Sequence, residues 1–158
     1  MHQIRTLSLA LLVGLLGNMP LMQAAELEGA ESTGAKFAAF EKQLTNATLV
    51  GQFTTKGQVN GTGKKEEYAI SSVKKMPTGD FWLFKARIKY GGTDITLPMS
   101  LEVKWAGDTP IITLTETTIP GLGTFSARVV IYDGQYAGIW KHDEYGGQMF
   151  GEIRKTEE

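Results

Sequence analysis

The chain contains no cysteine. That absence excludes a disulfide framework, a thiolate metal site, a nucleophilic thiol and a cysteine-borne lipid anchor, and it leaves core burial and backbone pairing to supply stability. Histidine is nearly as scarce: His2 stands in the first few residues, and only His142 remains for chemistry. Excess charge is missing as well, with 16 Lys and Arg against 17 Asp and Glu. Neither a nucleic acid nor an anionic membrane is therefore expected as a partner. Lys64, Lys65, Lys74, Lys75, Lys85 and Lys89 are interspersed with acids and read as a solvated outer face.

Several chemistry-bearing motifs are also lacking. There is no G-x-S-x-G, and Ser71, Ser72 and Ser126 fall inside strand-like runs, so a serine triad would have to recruit the lone His142. The segment Gly61-Thr62-Gly63-Lys64-Lys65 has neither the spacing of a phosphate-binding loop nor a helix after it, and reads as a turn. Asp143 and Glu144 stand outside any D-x-D-x-D-G pattern that wraps calcium. No cofactor is implied.

Long hydrophobic runs are absent apart from Leu7 to Leu16, and that run falls short of the ~20 residues a membrane-spanning helix needs. It is preceded by His2 and Arg5, broken by Gly17, Asn18 and Pro20, and followed by Ala24 and Ala25 before acidic Glu26. This is the pattern of a secretory signal peptide over residues 1–25. The expectation is an exported protein, periplasmic or extracellular, with no transmembrane segment after cleavage. Losing Arg5 would leave the mature chain mildly acidic.

What remains is enough for one domain, since 158 residues with 42% hydrophobic content support a single core. Residues 26–34 are acidic, small and unpatterned, and read as a flexible lead-in. From Ala35 to Asn46 the spacing of Phe37, Phe40 and Leu44 predicts one short amphipathic helix. Everything after it reads as strand or turn, to a domain end near residue 155 and a tail over 156–158. The clearest stretch runs from Asp80 to Trp105. Trp82, Phe84, Ala86, Ile88 and Tyr90 alternate with Lys85, Arg87 and Lys89, and beyond Gly91-Gly92 the residues Ile95, Leu97, Met99, Leu101, Val103 and Trp105 alternate with polar neighbours. A period of two marks strands with one apolar and one solvated face.

Shorter alternations precede and follow it: Ala47 to Thr55, Glu66 to Met76, Pro110 to Glu116, Thr124 to Tyr132, Tyr136 to Lys141 and Gln148 to Lys155. Turn residues separate them, with Asp133-Gly134 a strong two-residue hairpin signal. Short connections favour an antiparallel meander. The predicted fold is mainly β: about eight strands in an up-and-down meander closed into a barrel, which removes exposed edges, with one short N-terminal helix. An open, curved sheet packed on the helix is the alternative.

Gly51-Gln52-Phe53 on the first strand is similar to the lipocalin G-x-W motif with Phe in place of Trp, and Arg154 stands near the end of the last strand. On these residues the chain resembles the calycin barrels, that is, lipocalins, fatty-acid-binding proteins and avidins. The resemblance implies a barrel closed at one end, with Arg154 packed over the motif's aromatic, and a ligand cavity at the other end. Departures are the missing Trp, the missing disulfide and the missing helix after the last strand. The closing pattern Gly138-Ile139-Trp140, Gly146-Gly147 and Gly151-Glu152-Ile153 also resembles endings of small exported bacterial proteins of uncharacterised function.

Two groups of residues are candidate sites. Phe53, Tyr68, Trp82, Phe84, Tyr90, Leu97, Met99, Leu101, Trp105 and Trp140 would line a cavity for a small apolar molecule, or would simply fill the barrel, which at about eight strands is near the size that side chains alone can occupy. A cavity of about 300 Å³ or more would favour a carrier. His142, Asp143 and Glu144 are the weaker group, a possible metal or acid–base set that a polar hairpin loop explains as well. Three functions follow in order: an exported, non-enzymatic barrel binding a small apolar ligand; an envelope or extracellular interaction module with a filled core; and an enzyme using His142.

Overall fold

The structure is a computed structural model that describes residues 19–57, 62–90 and 92–156. Most of the expected signal peptide lies outside these residues. One helix, α1 (Met19–Leu44), is followed by eight strands: β1 (Ala47–Phe53), β2 (Lys64–Lys75), β3 (Phe81–Tyr90), β4 (Thr93–Ala106), β5 (Thr109–Ile119), β6 (Gly123–Tyr132), β7 (Gln135–His142) and β8 (Tyr145–Lys155). Each strand pairs antiparallel with its predecessor, and β8 returns to pair with β1, so the meander closes into a barrel. The open curved sheet is thereby excluded.

The hairpin β3–β4 shows why alternation carries this fold. Trp82, Phe84, Ala86 and Ile88 are buried, and they face Leu101, Met99, Leu97 and Ile95 across the ladder. The intervening side chains point outward and pair with one another: Arg87 donates twice to the Asp94 carboxylate at 2.6 Å, Lys89 reaches Glu67, and Lys104 bridges Asp80 and Glu102. A membrane-spanning barrel carries the reverse arrangement, with an apolar band outside. Two irregularities bend the wall, one in β2 between Ile70 and Ser72 and one in β5 between Leu114 and Thr117, where Glu116 takes a φ of 47°. The Asp133-Gly134 turn has positive φ at both residues, as the primed hairpin turns require.

The helix begins earlier than the sequence pattern suggests. Residues 26–34 are helical and exposed rather than an unstructured lead-in, and the helix runs through Gly29 and Gly34 with no proline to interrupt it. The chain divides after Ala35, and the turns from Lys36 onward belong with the barrel. There the predicted stripe does pack: Phe40 and Leu44 are fully buried. Phe40 sets its ring edge-on to Trp82 at 4.9 Å and to Trp105 at 5.6 Å, and Phe37 meets Trp82 at 5.2 Å.

The helix terminus is tied down by the barrel. Asn46, at φ 52°, takes the left-handed conformation that ends helices, and the Lys155 ammonium donates to the Lys42 and Thr45 carbonyls that the last turn leaves unpaired. Glu41 accepts from the Lys75 backbone N–H at 2.9 Å.

The last hairpin also differs from expectation. The sequence pattern places Gly146 and Gly147 before the last strand, yet they lie in β8, and only Asp143 and Glu144 turn the chain. Gly147 lies directly against the Thr54 carbonyl, where a side chain would collide, and Lys56 donates to the Gly146 carbonyl at 2.6 Å. Phe40→Ala should cost about 3–5 kcal/mol by emptying the space among Trp82, Phe84 and Trp105. Urea unfolding followed by tryptophan fluorescence measures it; a cost under ~1 kcal/mol would mean the helix does not help hold the barrel.

Candidate functional site

The barrel interior divides along its axis. At the end carrying the β2–β3, β4–β5 and β6–β7 turns, the rings of Phe37, Phe40, Trp82 and Trp105 fill the space. Toward the other end lies a cavity of about 160 Å³. Its wall is almost entirely apolar, with Phe53, Phe84, Met99, Leu101, Ile112 and Trp140 among its members, and it includes a carboxylate, Glu66. Trp140 sets its ring perpendicular to Phe53 at 5.5 Å, and its indole N–H has no hydrogen-bond partner among the described residues. A larger groove of about 1060 Å³ on the outside of β1, β2 and β6–β8 is open and edged by charged Lys65, Glu67, Lys89, Glu152 and Arg154, and its lining also includes Glu66 and Tyr136, beside the bare Gly51 and Gly151.

Glu66 is only 5% exposed. It stands on the same face of β2 as Tyr68 and Ile70, so strand alternation aims it inward. The register then builds a row across the closing seam: Glu66 on β2 opposes Gly51 on β1, Gly51 opposes Gly151 on β8, and Gly151 opposes Tyr136 on β7. Any side chain at either glycine would run into the Tyr136 ring or hydroxyl and the neighbouring strand's backbone. With both positions bare, Tyr136 lies across two strands and donates to one Glu66 oxygen at 2.8 Å. Tyr68 donates to the other at 3.0 Å.

Both oxygens are thus satisfied by neutral donors. Among the described residues no Lys, Arg or His forms an ion pair with Glu66. Burial pushes the carboxyl pKa above its ordinary value, and the two tyrosine hydrogen bonds offset this only in part. The Tyr136 hydroxyl is pushed upward too, first by burial and then by its bond to Glu66, so it stays protonated and donating.

The sequence-predicted residues separate into groups. Phe53, Tyr68, Phe84, Met99, Leu101 and Trp140 line the cavity. Trp82 and Trp105 do not: they pack under the helix, because the barrel is filled where α1 caps it. Leu97 belongs to a separate cluster with Ile88 and Ile119. Tyr90 lies in β3, and its side chain falls outside the described residues.

His142 stacks on Phe125 with ring centroids 4.2 Å apart, and its Nε2 is 3.4 Å from the Asp143 carboxylate. Glu144 is exposed in the turn, and among the described residues no three His, Asp or Glu side chains gather as a metal site. Arg154 does not cover Phe53. It is exposed, opposes Thr48 and pairs with Glu152, whereas Phe53 opposes Met149.

Glu66 and Tyr136 were missed. Their signal was present as parity, an acid two residues before Tyr68 and a tyrosine four before Trp140, each on an inward face. A charged residue at an inward position is the anomaly that marks the site.

The raised Glu66 pKa makes the folded state bind its proton more tightly than the unfolded chain does, so the stability this group contributes is present below its ordinary value of 4.5 and is lost as pH rises through the folded value. Glu66→Gln should therefore melt higher relative to the native protein at pH 7.5 than at pH 4. A melting-temperature difference that stays flat across that range would show that Glu66 carries no burial penalty.

The chain matches no family model, no curated protein and no solved structure.

Proposed function

We propose that this protein is an exported, non-enzymatic barrel that carries a small, mostly apolar molecule in its interior. The observation that supports the reading is the cavity of about 160 Å³ between the ring-filled end and the opposite turns. Its size is below the ~300 Å³ typical of drug-sized sites, but apolar protein cavities of about 150 Å³ take up benzene-sized molecules. A single-ring or short branched ligand fits this volume, and a long acyl chain does not. Glu66 and the unpartnered Trp140 N–H supply the few polar handles that orient a ligand in such sites.

A second reading, an envelope or extracellular interaction module, is favoured by a different observation. Val130, Tyr132, Ile139 and Phe150 are exposed on the outer face of β6, β7 and β8. Exposed apolar groups in proximity are a feature of protein-contact surfaces.

Toluene should quench or shift tryptophan fluorescence saturably and raise the melting temperature, and Ala86→Leu, which adds bulk to the cavity wall, should abolish both while leaving the fold intact. No saturable response of the native protein to any single-ring probe, neutral or charged, would favour the interaction module. For export, N-terminal sequencing of protein recovered outside the cytoplasm should begin near residue 26; an intact residue 1 in that fraction would overturn the leader assignment.

A further inference from the structure

The Glu66 carboxylate is the feature of this cavity that packing does not explain. Filling a barrel needs no charge, and a hydrophobic residue of similar size at position 66 would avoid the cost of burying one. The carboxylate also has no cationic partner among the described residues, and it lies in a wall otherwise made of aliphatic and aromatic groups. Five rings share that wall: Phe53, Tyr68, Phe84, Phe125 and Trp140. An aromatic surround attracts a cation through the negative faces of its rings, and a carboxylate among them adds a direct counter-charge.

The same arrangement disfavours an anion. A ligand carboxylate placed in about 160 Å³ would have to share that space with Glu66, in a medium where like charges repel far more strongly than in water. A neutral ligand would leave the burial cost of Glu66 uncompensated.

Resting on the carrier reading above, we propose that the ligand is a small hydrophobic amine bound as its ammonium ion, with Glu66 as counter-ion and the surrounding rings as a cage. Tyr68 and Tyr136 act as positioning residues. Each holds one carboxylate oxygen, at 3.0 and 2.8 Å, and Tyr136 can reach only because Gly51 and Gly151 are bare. Each oxygen retains a lone pair for an N–H of the ligand.

The test is a charge series on the full-length chain with probes of one ring: benzylamine, toluene and benzoate, measured by calorimetry and tryptophan fluorescence at pH 7.5. Benzylamine should bind at least about tenfold more tightly than toluene, a difference equal to about 1.4 kcal/mol, and benzoate should show no binding. Glu66→Gln should bring benzylamine down to the toluene level and leave toluene unchanged. Toluene binding as tightly as benzylamine, or benzoate binding more tightly than either, overturns the cation preference and leaves the carrier reading standing. No binding of any of the three overturns both. The native protein's series decides the matter by itself if the Gln variant does not fold.

Discussion

The pairing of β1 with β8 is the contact on which the rest of the barrel depends. Without it the meander would be an open sheet with two unpaired edges and an uncovered apolar face. One pair past its midpoint Gly51 meets Gly151, and the missing side chains bring the two backbones close while opening a track on the inner surface. Tyr136 occupies that track and ties β7 to β2 through Glu66, across the two strands of the seam. One hydrogen bond thus spans the join between the first and last strands, and it ends on a carboxylate in the cavity wall. Closure and site are built from the same four positions.

The helix decides where along the barrel a cavity can exist. A barrel of about eight strands has an interior that side chains can nearly fill. At the capped end Phe37 and Phe40 are added to Trp82 and Trp105, and the space is taken. Beyond the reach of those rings the small side chains of Ala86 and Ala127 stand among the larger ones of the wall, and about 160 Å³ is left open. Among the described residues the Glu66 carboxylate is held in that space by the hydroxyls of Tyr68 and Tyr136, and burial raises its pKa.

The fold was largely legible in the chain because a period of two is local. Each strand of the β3–β4 hairpin announces its inner face through its own residues, and short turns leave few ways to connect neighbours. The helical stripe of Phe37, Phe40 and Leu44 was legible for the same reason, at a different period. The candidate site was legible only in part. Phe53, Tyr68, Phe84, Met99, Leu101 and Trp140 could be selected as inward-facing, but nothing local separated them from Trp82, Trp105 and Leu97, which face inward too and are not part of the cavity wall. The difference is height along the barrel, which depends on the stagger between strands.

By itself, the amino-acid sequence determined the strand alternation, most of the turn positions and the absence of cysteine, because each follows from residues that are neighbours in the chain. Only the tertiary structure decided that Glu66 and Tyr136, 70 residues apart, share a hydrogen bond, that two glycines clear the way for it, and that the cavity stops where the rings of Phe37 and Phe40 fill the barrel. Those outcomes depend on the register across the closing seam. A shift of one residue there would turn every inward side chain of a strand to the outside, and no stretch of the chain carries that register alone.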